Sequence, residues 1–209
     1  MSAEWSYRLR DLVLTLVLLV VAVPLMLAIA LLLLVTQGQP VLFVQERPGR
    51  YGRPFPLVKF RTMRPADPSS ALSAPGDDDA QRITRIGRVL RASSLDELPE
   101  LVSVLRGHMT LVGPRPLLPE YLDHYTGVQH LRHQIRPGLT GLAQVSGRNG
   151  LDWPDKLALD VAYVRRRSHR LDLLILLRTI GTVLDRRATS HAGHATMPRW
   201  DGRAGRQRT

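Results

Sequence analysis

The sequence predicts an α+β protein, mostly helical, with one membrane-embedded helix and a small β-hairpin. Two observations indicate this fold class. An uncharged apolar block runs from Leu12 to Val35, and Thr15 is its only polar side chain. Beyond the block, two short apolar runs at 40–45 and 55–60 flank a segment rich in turn-forming residues, which is typical of a hairpin.

The apolar block is long enough to enter a membrane deeply. A straight helix over it would measure about 36 Å, against roughly 30 Å for the hydrocarbon core of a bilayer. Pro24 lies at its centre, and an interior proline removes a helix hydrogen bond. Basic residues flank the block on both sides, at Arg8, Arg10 and from Arg47 onward, which favours the cytoplasmic face for both flanks. We therefore expect a re-entrant helix that breaks at Pro24 and returns to the same face.

Two other interpretations of this block stay open. A signal peptide has an apolar core of only ~7–15 residues before a small-residue cleavage site, whereas this block is longer and is followed by TQGQP at 36–40. A complete crossing would leave the N-terminus outside. The re-entrant interpretation divides the chain into a membrane helix over 1–38, a cytoplasmic-face domain with interfacial helices over 39–186, and a basic polar tail over 187–209.

Composition narrows the possible chemistry. The net charge is +11 and the chain has no cysteine, so disulfide frameworks and thiolate catalysis are excluded. Positive charge attracts both nucleic acid and anionic lipid. Beside an embedded helix the lipid headgroup is the nearer anion, so we expect membrane lipids and no nucleic acid as partners. The sequence motifs of nucleoside-triphosphatases, dinucleotide-binding proteins and zinc proteases are absent.

Hydrophobic periodicity predicts several further elements. Residues 82–91 form an amphipathic helix, and a second helix covers 95–105. We also expect a helix over 120–134, a short strand over 142–145, and helices over 155–166 and 171–184. The last is strongly apolar but short for a span, which favours a position in the membrane interface over an ordinary core helix. The acidic loop at 65–80 is interpreted as solvated rather than metal-binding.

The adjacent carboxylates Asp96 and Glu97 are the strongest candidate site residues. Ser94 with Glu97 three residues later matches a capping box, and acidic residues are favoured in the first turn of a helix for structural reasons alone. Basic residues nearby in sequence, Arg91 and Arg115 among them, also indicate a phosphate site. Such a carboxylate pair suits Mg²⁺, which shares its ligands with substrate phosphates.

Two further cations belong to the same hypothesis. Lys59 lies at the end of the second predicted strand, although a solvated strand residue is equally compatible with the pattern. The turn at 113–116, GPRP, stiffens the chain on both sides of Arg115, and a guanidinium binds phosphate in a bidentate manner. The histidines His108, His124, His130 and His133 lack metal-ligand spacing and are interpreted as surface or core residues.

Taken together, these segments resemble the small monotopic phosphoglycosyl transferases of bacteria, which are polyprenyl-phosphate sugar-1-phosphate transferases. The proline-containing helix is followed in order by seven matching segments. They are FVQERPG (43–49), KFRTM (59–63), SLDELP (94–99), LVGPRP (111–116), RPGLTG (136–141), AQV (143–145) and GRN (147–149). The tail stretch GHAT (193–196) is similar to the short, sugar-modification branch of this family.

The resemblance implies the reaction and the residues that perform it. A UDP-sugar donates its sugar-1-phosphate to polyprenyl phosphate at the inner membrane, UMP leaves, and the product enters glycoconjugate synthesis. Asp96 would be the nucleophile that forms a covalent phosphosugar intermediate, and Glu97 would order the site and ligate Mg²⁺ with it. The match assigns phosphate neutralisation to three cations: Lys59, Arg91 and Arg115. Donor contacts are expected from Arg136, Gln144, Arg148 and Asn149.

Some positions depart from the family pattern, and some questions stay open. His108 stands where an acidic residue is expected, and Val23 replaces the small polar residue that often precedes the central proline. A glycosyltransferase that releases UDP, and a non-enzymatic basic membrane protein, are the alternative functions. We expect an N-acetylated amino sugar in the donor. A homo-oligomer is possible.

Overall fold

The computed structural model describes residues 2–65, 79–147, 151–184 and 200, and confirms a mostly helical α+β architecture. The helices are α1 (Ser2–Gln37), α2 (Asp79–Arg82), α3 (Arg85–Ala92), α4 (Glu100–Leu105), α5 (Leu142–Gly147), α6 (Trp153–Arg166) and α7 (His169–Leu184). The strands are β1 (Leu42–Pro48), β2 (Pro54–Phe60), β3 (Thr110–Val112) and β4 (Gly138–Thr140). Short 3-10 segments lie at Arg50–Gly52, Leu95–Glu97, Pro119–His124 and Gln129–His133.

Helix α1 continues through Pro24 from Ser2 to Gln37. The helix that we expected to break at Pro24 thus keeps its helical assignment through this residue. A proline removes one backbone hydrogen bond, and the turns on either side keep theirs. The segment Glu4–Gln37 is long and apolar enough to cross a membrane, with a mean hydropathy of 3.2 in its most apolar window.

One stripe of α1 is buried against the rest of the chain. Its residues are Asp11, Thr15, Ala22, Ile29 and Leu33. Their spacing of four or seven residues places them along one side of a helix. Leu33 packs with Phe60 and Leu90, while Ala22 joins the main core cluster. The other faces of α1 leave many large apolar side chains exposed.

The N-terminal end of α1 is bonded to two other helices. The Arg8 guanidinium donates to the carbonyls of Val104 at 2.5 Å and Leu105 at 2.7 Å, at the C-terminus of α4. Arg10 forms an ion pair with Asp172 of α7 at 2.6 Å. These bonds hold the start of α1 against the folded domain.

The C-terminal end of α1 is bonded to the same domain. Arg61, which follows β2, donates to the carbonyls of Gln37 at 2.6 Å and Gly38 at 2.8 Å. The side chain of Gln37 donates to Thr84 Oγ1 at 3.0 Å. The segments of α1 before and after Pro24 are thus both attached to one body.

The predicted hairpin is confirmed, and helix α3 packs closely beside it. Strands β1 and β2 pair antiparallel, with Val44 opposite Val58. Helix α3, predicted as the amphipathic helix 82–91, begins after Thr84, whose hydroxyl accepts from the Gly87 amide at 2.9 Å. A Cβ on Gly87 would lie 2.0 Å from the carbonyl oxygen of Thr62. Glycine is required here because the two backbones are in contact.

Strands β3 and β4 form a parallel pair that brings the GPRP and RPGLTG segments together. The Gly113 amide donates to the Thr140 carbonyl at 2.8 Å. A Cβ on Gly138 would lie 2.0 Å from the Gly113 nitrogen, and one on Gly141 would lie 2.2 Å from the Gly113 carbonyl oxygen. The turn that carries Arg115 is therefore packed backbone against backbone.

Three expectations about local structure are corrected. Residues 142–145, expected as a strand, belong to α5, because four residues do not distinguish a strand period from a helical one. Residues 120–134 form two 3-10 segments instead of one helix. The helix expected over 95–105 is a 3-10 turn followed by α4, with Pro99 between them, where the missing N–H interrupts the hydrogen-bond ladder.

Helices α6 and α7 confirm the predictions for 155–166 and 171–184, each beginning two residues earlier. Helix α7 buries Asp172 and Ile175 and leaves an apolar stripe exposed. The stripe comprises Leu173, Leu174, Leu177 and Ile180. From the tail 187–209 only Trp200 is described, and it packs with Tyr121 and Tyr125. The GHAT segment and most of the acidic loop lie outside the described residues.

The contact between Gly113 and Gly138 leads to a prediction about stability. Gly138→Ala should lower the free energy of unfolding by more than about 3 kcal/mol, because its methyl group would meet backbone atoms that have no room to move. Gly181→Ala in α7 is the matched control, since no atom lies within 4 Å of its Cβ position and alanine favours a helix. Thermal unfolding of both in one detergent provides the measurement. Equal melting temperatures would contradict the close packing.

Candidate active site

Asp96 and Glu97 lie in a 3-10 turn between α3 and α4. The residue before this turn, Ser94, has a left-handed backbone with φ of 57° and makes no side-chain capping bond. The predicted capping box is therefore wrong. Glu97 instead directs its carboxylate toward two cations from distant parts of the chain, because charge-assisted bonds are stronger than a cap to a backbone amide.

Glu97 forms a clamp between the β-hairpin and the GPRP turn. Lys59 of β2 donates to its Oε1 at 2.6 Å. Arg115 donates to Oε1 at 2.5 Å and to Oε2 at 3.4 Å. Burial opposes ionisation of Glu97, but the charges of Arg115 and Lys59 outweigh it and hold the pKa of this carboxyl well below its usual range. Glu97 is thus a fixed anion.

Asp96 differs sharply from its neighbour. It is only 7% exposed, and within residues 2–65, 79–147 and 151–184 its carboxylate has no hydrogen-bond or ion-pair partner. Burial, and then the charge of Glu97, raise the pKa of Asp96 to about 6, against the lowering effect of Lys59, Arg91 and Arg115. Its oxygens are therefore free to bond an incoming group.

Arg91 completes the set of predicted phosphate-binding cations. It lies in the last turn of α3, close enough to lower the pKa of Asp96. Its guanidinium contacts Met63 Sδ at 3.9 Å and forms no ion pair with a described carboxylate. The structure thus brings Lys59, Arg91 and Arg115 around Asp96, and Arg91 keeps its charge available for an anionic ligand.

Two ionisable groups near this cluster were missed in the sequence. Glu100 is buried, with its Oε1 at 3.1 Å from Lys59 Nζ but not aligned for a hydrogen bond. Burial and the charge of Glu97 raise its pKa to about 7. Burial and the charge of Arg115 lower the pKa of Arg47 to about 10, and Arg47 Nε has no partner. The sequence signal was position alone: Glu100 lies one helical turn after Asp96.

The expected donor contacts are less well supported than the cations. Arg136 donates to the Gly107 carbonyl at 2.8 Å and lies 3.7 Å from Glu4 of α1, so its contacts are with the turn after α4 and with the start of α1. Gln144 donates to the Leu139 carbonyl at 3.2 Å, while its Oε1 is buried without a partner. Arg148 and Asn149 lie outside the described residues.

The residues around Asp96 fit a magnesium ion. The Asp96 oxygens accept no bond from the described residues, and an adjacent carboxylate lies on Glu97. Within the described residues no group of three or more His, Cys, Asp or Glu side chains is arranged to hold a metal. A Mg²⁺ ion here would therefore take its remaining ligands from water and substrate phosphates, as is usual for this cation.

The histidines take no part in this cluster. His133 is buried, and its Nδ1 lies 3.3 Å from the Gly49 carbonyl oxygen. Burial and the charge of Arg132 lower the pKa of His133 to about 4. His108 is exposed and its ring lies 5.8 Å from that of Phe55.

The chemistry available at the site is that of a free carboxylate among cations, which suits attack on a phosphorus atom and neutralisation of phosphate charge.

Comparison with known proteins gives concordant results. EpsL of Bacillus subtilis, an uncharacterized sugar transferase, is 47% identical over 165 residues, which cover 79% of this chain and 80% of EpsL. The UDP-glucose:undecaprenyl-phosphate glucose-1-phosphate transferase of Caulobacter vibrioides is 46% identical over 155 residues. The undecaprenyl-phosphate galactose phosphotransferase of Salmonella typhimurium is 38% identical over 199 residues.

The last two relatives are longer than the matched region. The aligned residues cover 69% and 88% of this chain but only 57% and 42% of the Caulobacter and Salmonella proteins. A family model described as bacterial sugar transferase matches residues 2–186, nearly the whole described chain. The chain therefore belongs to the bacterial sugar transferase family.

Proposed function

We propose that this enzyme transfers a sugar-1-phosphate from a UDP-sugar to polyprenyl phosphate and releases UMP. One observation carries the proposal. A buried carboxylate, Asp96, has no partner among the described residues, while the adjacent Glu97 is clamped by Lys59 and Arg115. The names of the Caulobacter and Salmonella relatives support the same reaction class.

In the first step, an Asp96 carboxylate oxygen attacks the phosphorus that carries the sugar. An O–P bond forms, and the bond from that phosphorus to the bridging oxygen of the diphosphate breaks. UMP leaves with the electron pair, and the sugar phosphate remains on Asp96. Arg91 stabilises the charge on the phosphoryl oxygens, since it has no other anionic partner among the described residues.

In the second step, a phosphate oxygen of polyprenyl phosphate attacks the same phosphorus. The bond to Asp96 breaks, the carboxylate is regenerated, and polyprenyl-diphosphate-sugar is released. Splitting one displacement into two lets the donor and acceptor bind in turn. Glu97 keeps Lys59 and Arg115 in place during both steps. Mg²⁺ held by Asp96 and Glu97 would neutralise diphosphate charge.

The attachment of α1 supports a re-entrant, monotopic membrane arrangement. The ends of the helix are bonded to one domain, through Arg8 and Arg61, so a full crossing would require that domain to lie on both sides of the bilayer. The exposed apolar stripe of α7 supports an interfacial position for that helix. We propose that the domain lies on the cytoplasmic face of the inner membrane, where UDP-sugars are available.

Loss of UMP release in a variant of Asp96 is the first test. The protein in detergent, with Mg²⁺, undecaprenyl phosphate and a panel of UDP-sugars, should release UMP, and an N-acetylated amino sugar should be the preferred donor. Asp96→Asn should lower the rate by at least about 1,000-fold, because the amide is a poor nucleophile. Asp123→Asn changes an exposed carboxylate elsewhere and should retain the wild-type rate.

Other products would overturn the proposal. Release of UDP would indicate transfer of the sugar alone. Full activity of Asp96→Asn would exclude the covalent intermediate on this residue. No nucleotide release with any donor, together with strongly salt-dependent binding to anionic vesicles, would support the non-enzymatic membrane protein.

The rate should depend on pH through Asp96. Because burial raises its pKa to about 6, the reactive carboxylate is lost as the pH falls below 6, and kcat/KM should decline there about tenfold per pH unit. Arg91 lowers this pKa, so Arg91→Met should shift the decline to higher pH as well as slow the reaction. Rates at fixed Mg²⁺ from pH 5 to 8 provide the measurement. An unchanged midpoint in Arg91→Met would contradict this assignment.

The membrane arrangement is testable by thiol labelling. The chain has no native cysteine, so Ser2→Cys and Arg53→Cys each supply a single reporter. Both should resist a membrane-impermeant maleimide in intact cells and react after permeabilisation. Labelling of the Ser2 position alone in intact cells would show that α1 crosses the membrane, and labelling of both would place the domain outside.

A further inference from the structure

A buried ion pair lies directly behind the turn that carries Arg115. Arg132, which is 2% exposed, donates to Asp160 Oδ2 from Nη2 at 2.7 Å and from Nε at 3.1 Å. Asp160 is 4% exposed and belongs to α6. The remaining Arg132 nitrogen, Nη1, donates to Tyr125 Oη at 3.3 Å. The reaction proposed above uses none of these groups directly.

The pair is connected to the site through one backbone atom. Arg132 Nη2 also donates to the carbonyl oxygen of Arg115 at 2.6 Å. The side chain of the same Arg115 donates to Glu97. One residue is thus held at both ends, by Arg132 at its backbone and by Glu97 at its guanidinium.

Stability alone does not explain a buried ion pair. Removing two charges from water costs several kcal/mol, and apolar pairs of similar volume are often as stable or more so. What an apolar pair lacks is a donor for the Arg115 carbonyl. The backbone just before the turn is also held by a buried side chain, since Tyr163 Oη donates to the Val112 carbonyl at 2.9 Å. The bonds lie on both sides of the rigid Gly113–Pro114 unit.

We propose that Arg132 and Asp160 are positioning residues that orient the Arg115 guanidinium toward Glu97 and the substrate phosphates. Asp160 orients the Arg132 guanidinium, and Arg132 holds the Arg115 carbonyl. Because its backbone is fixed in this way, the Arg115 side chain is directed toward Glu97. The inference rests on the proposed function, since it assigns these residues a part in that reaction. A displacement of about 1 Å at such a site lowers a rate by on the order of 100-fold.

The test compares three changes in the full-length protein. The double variant Arg132→Met/Asp160→Leu replaces the pair by side chains of similar shape and removes the donor to Arg115. Arg132→Lys keeps one charged donor in the place of Nη2. Tyr125→Phe is the matched control, because it removes another partner of Arg132 and leaves the bond to Arg115 intact. Each is measured for melting temperature and for UMP release.

The double variant should melt within a few degrees of wild type and lose on the order of 100-fold in kcat/KM. Arg132→Lys should recover at least tenfold of that loss, and Tyr125→Phe should retain the wild-type rate. Adding Arg115→Ala to the double variant should cause no loss beyond that of Arg115→Ala alone, because residues that act through one another are not additive. Additive losses, or a fully active double variant, would overturn the positioning role.

A second measurement is independent of activity. Hydrogen exchange of peptides covering 110–118 should be at least tenfold faster in the double variant than in Tyr125→Phe, and unchanged exchange would overturn the proposal. If the wild-type protein itself releases no UMP from any donor, the proposed function fails first, and this exchange measurement still tests whether the pair holds the Arg115 turn. If the double variant does not fold, Asp160→Asn takes its place. Its exchange over 110–118 should then be faster, and its UMP release slower, than in Tyr125→Phe, and equal values would overturn the proposal.

Discussion

The geometry of the site depends on the Glu97 carboxylate, which neutralises two cations from distant parts of the chain. Without it, Lys59 and Arg115 would repel each other and the hairpin would lose its bond to the GPRP turn. The Glu97 carboxylate also offsets part of the positive charge of Lys59 and Arg115, which favours the ionised form of Asp96. The negative charge of Glu97 therefore raises the Asp96 pKa. A more basic carboxylate is a stronger nucleophile once it is ionised. The clamp therefore both holds the cations of the proposed phosphate site in place and keeps the proposed nucleophile reactive.

A second constraint connects this site to α1. Thr110 at the start of β3 donates to Asp11 of α1. The single hydroxyl hydrogen of Tyr163 in α6 is shared between the Val112 carbonyl and, at 2.6 Å, Asp172 of α7. That carboxylate is in turn paired with Arg10 of α1. Three helices thus meet on the strand that leads into the Arg115 turn. Breaking one partner of such a buried charged network leaves another uncompensated, which costs about 3–5 kcal/mol. The attachment of α1 to the domain and the position of the proposed site consequently depend on the same buried residues.

The sequence predicted the features that have a long period or a dense motif, and missed those that depend on distant pairing. Helices α3, α6 and α7 and the hairpin were correct because many residues contribute to each pattern. Residues 142–145 were misassigned because so short a run fits a strand and a helix equally well. The cap expected from Ser94 and Glu97 failed since two cations remote in sequence bond the same carboxylate. The ion pair of Arg132 with Asp160 was missed for a related reason, because no local sequence pattern predicts a contact between residues that are 28 positions apart.

The position of the site relative to α1 supports the membrane arrangement that we propose. Lys59, which bonds Glu97, is two residues before Arg61, which bonds the last turn of α1 and the Gly38 that follows it. The proposed phosphate site therefore lies next to the C-terminal end of α1. In the membrane arrangement that we propose, this places the site at the level of the lipid headgroups. Each CH₂ of a lipid tail that is buried in the bilayer contributes about 0.8 kcal/mol to membrane binding. Drawing a whole polyprenyl chain out of the bilayer would therefore carry a very large free-energy cost. In the arrangement that we propose, a site held at this level by both ends of α1 would let the acceptor phosphate reach Asp96 while its tail stays in the membrane, and the soluble UDP-sugar would come to it.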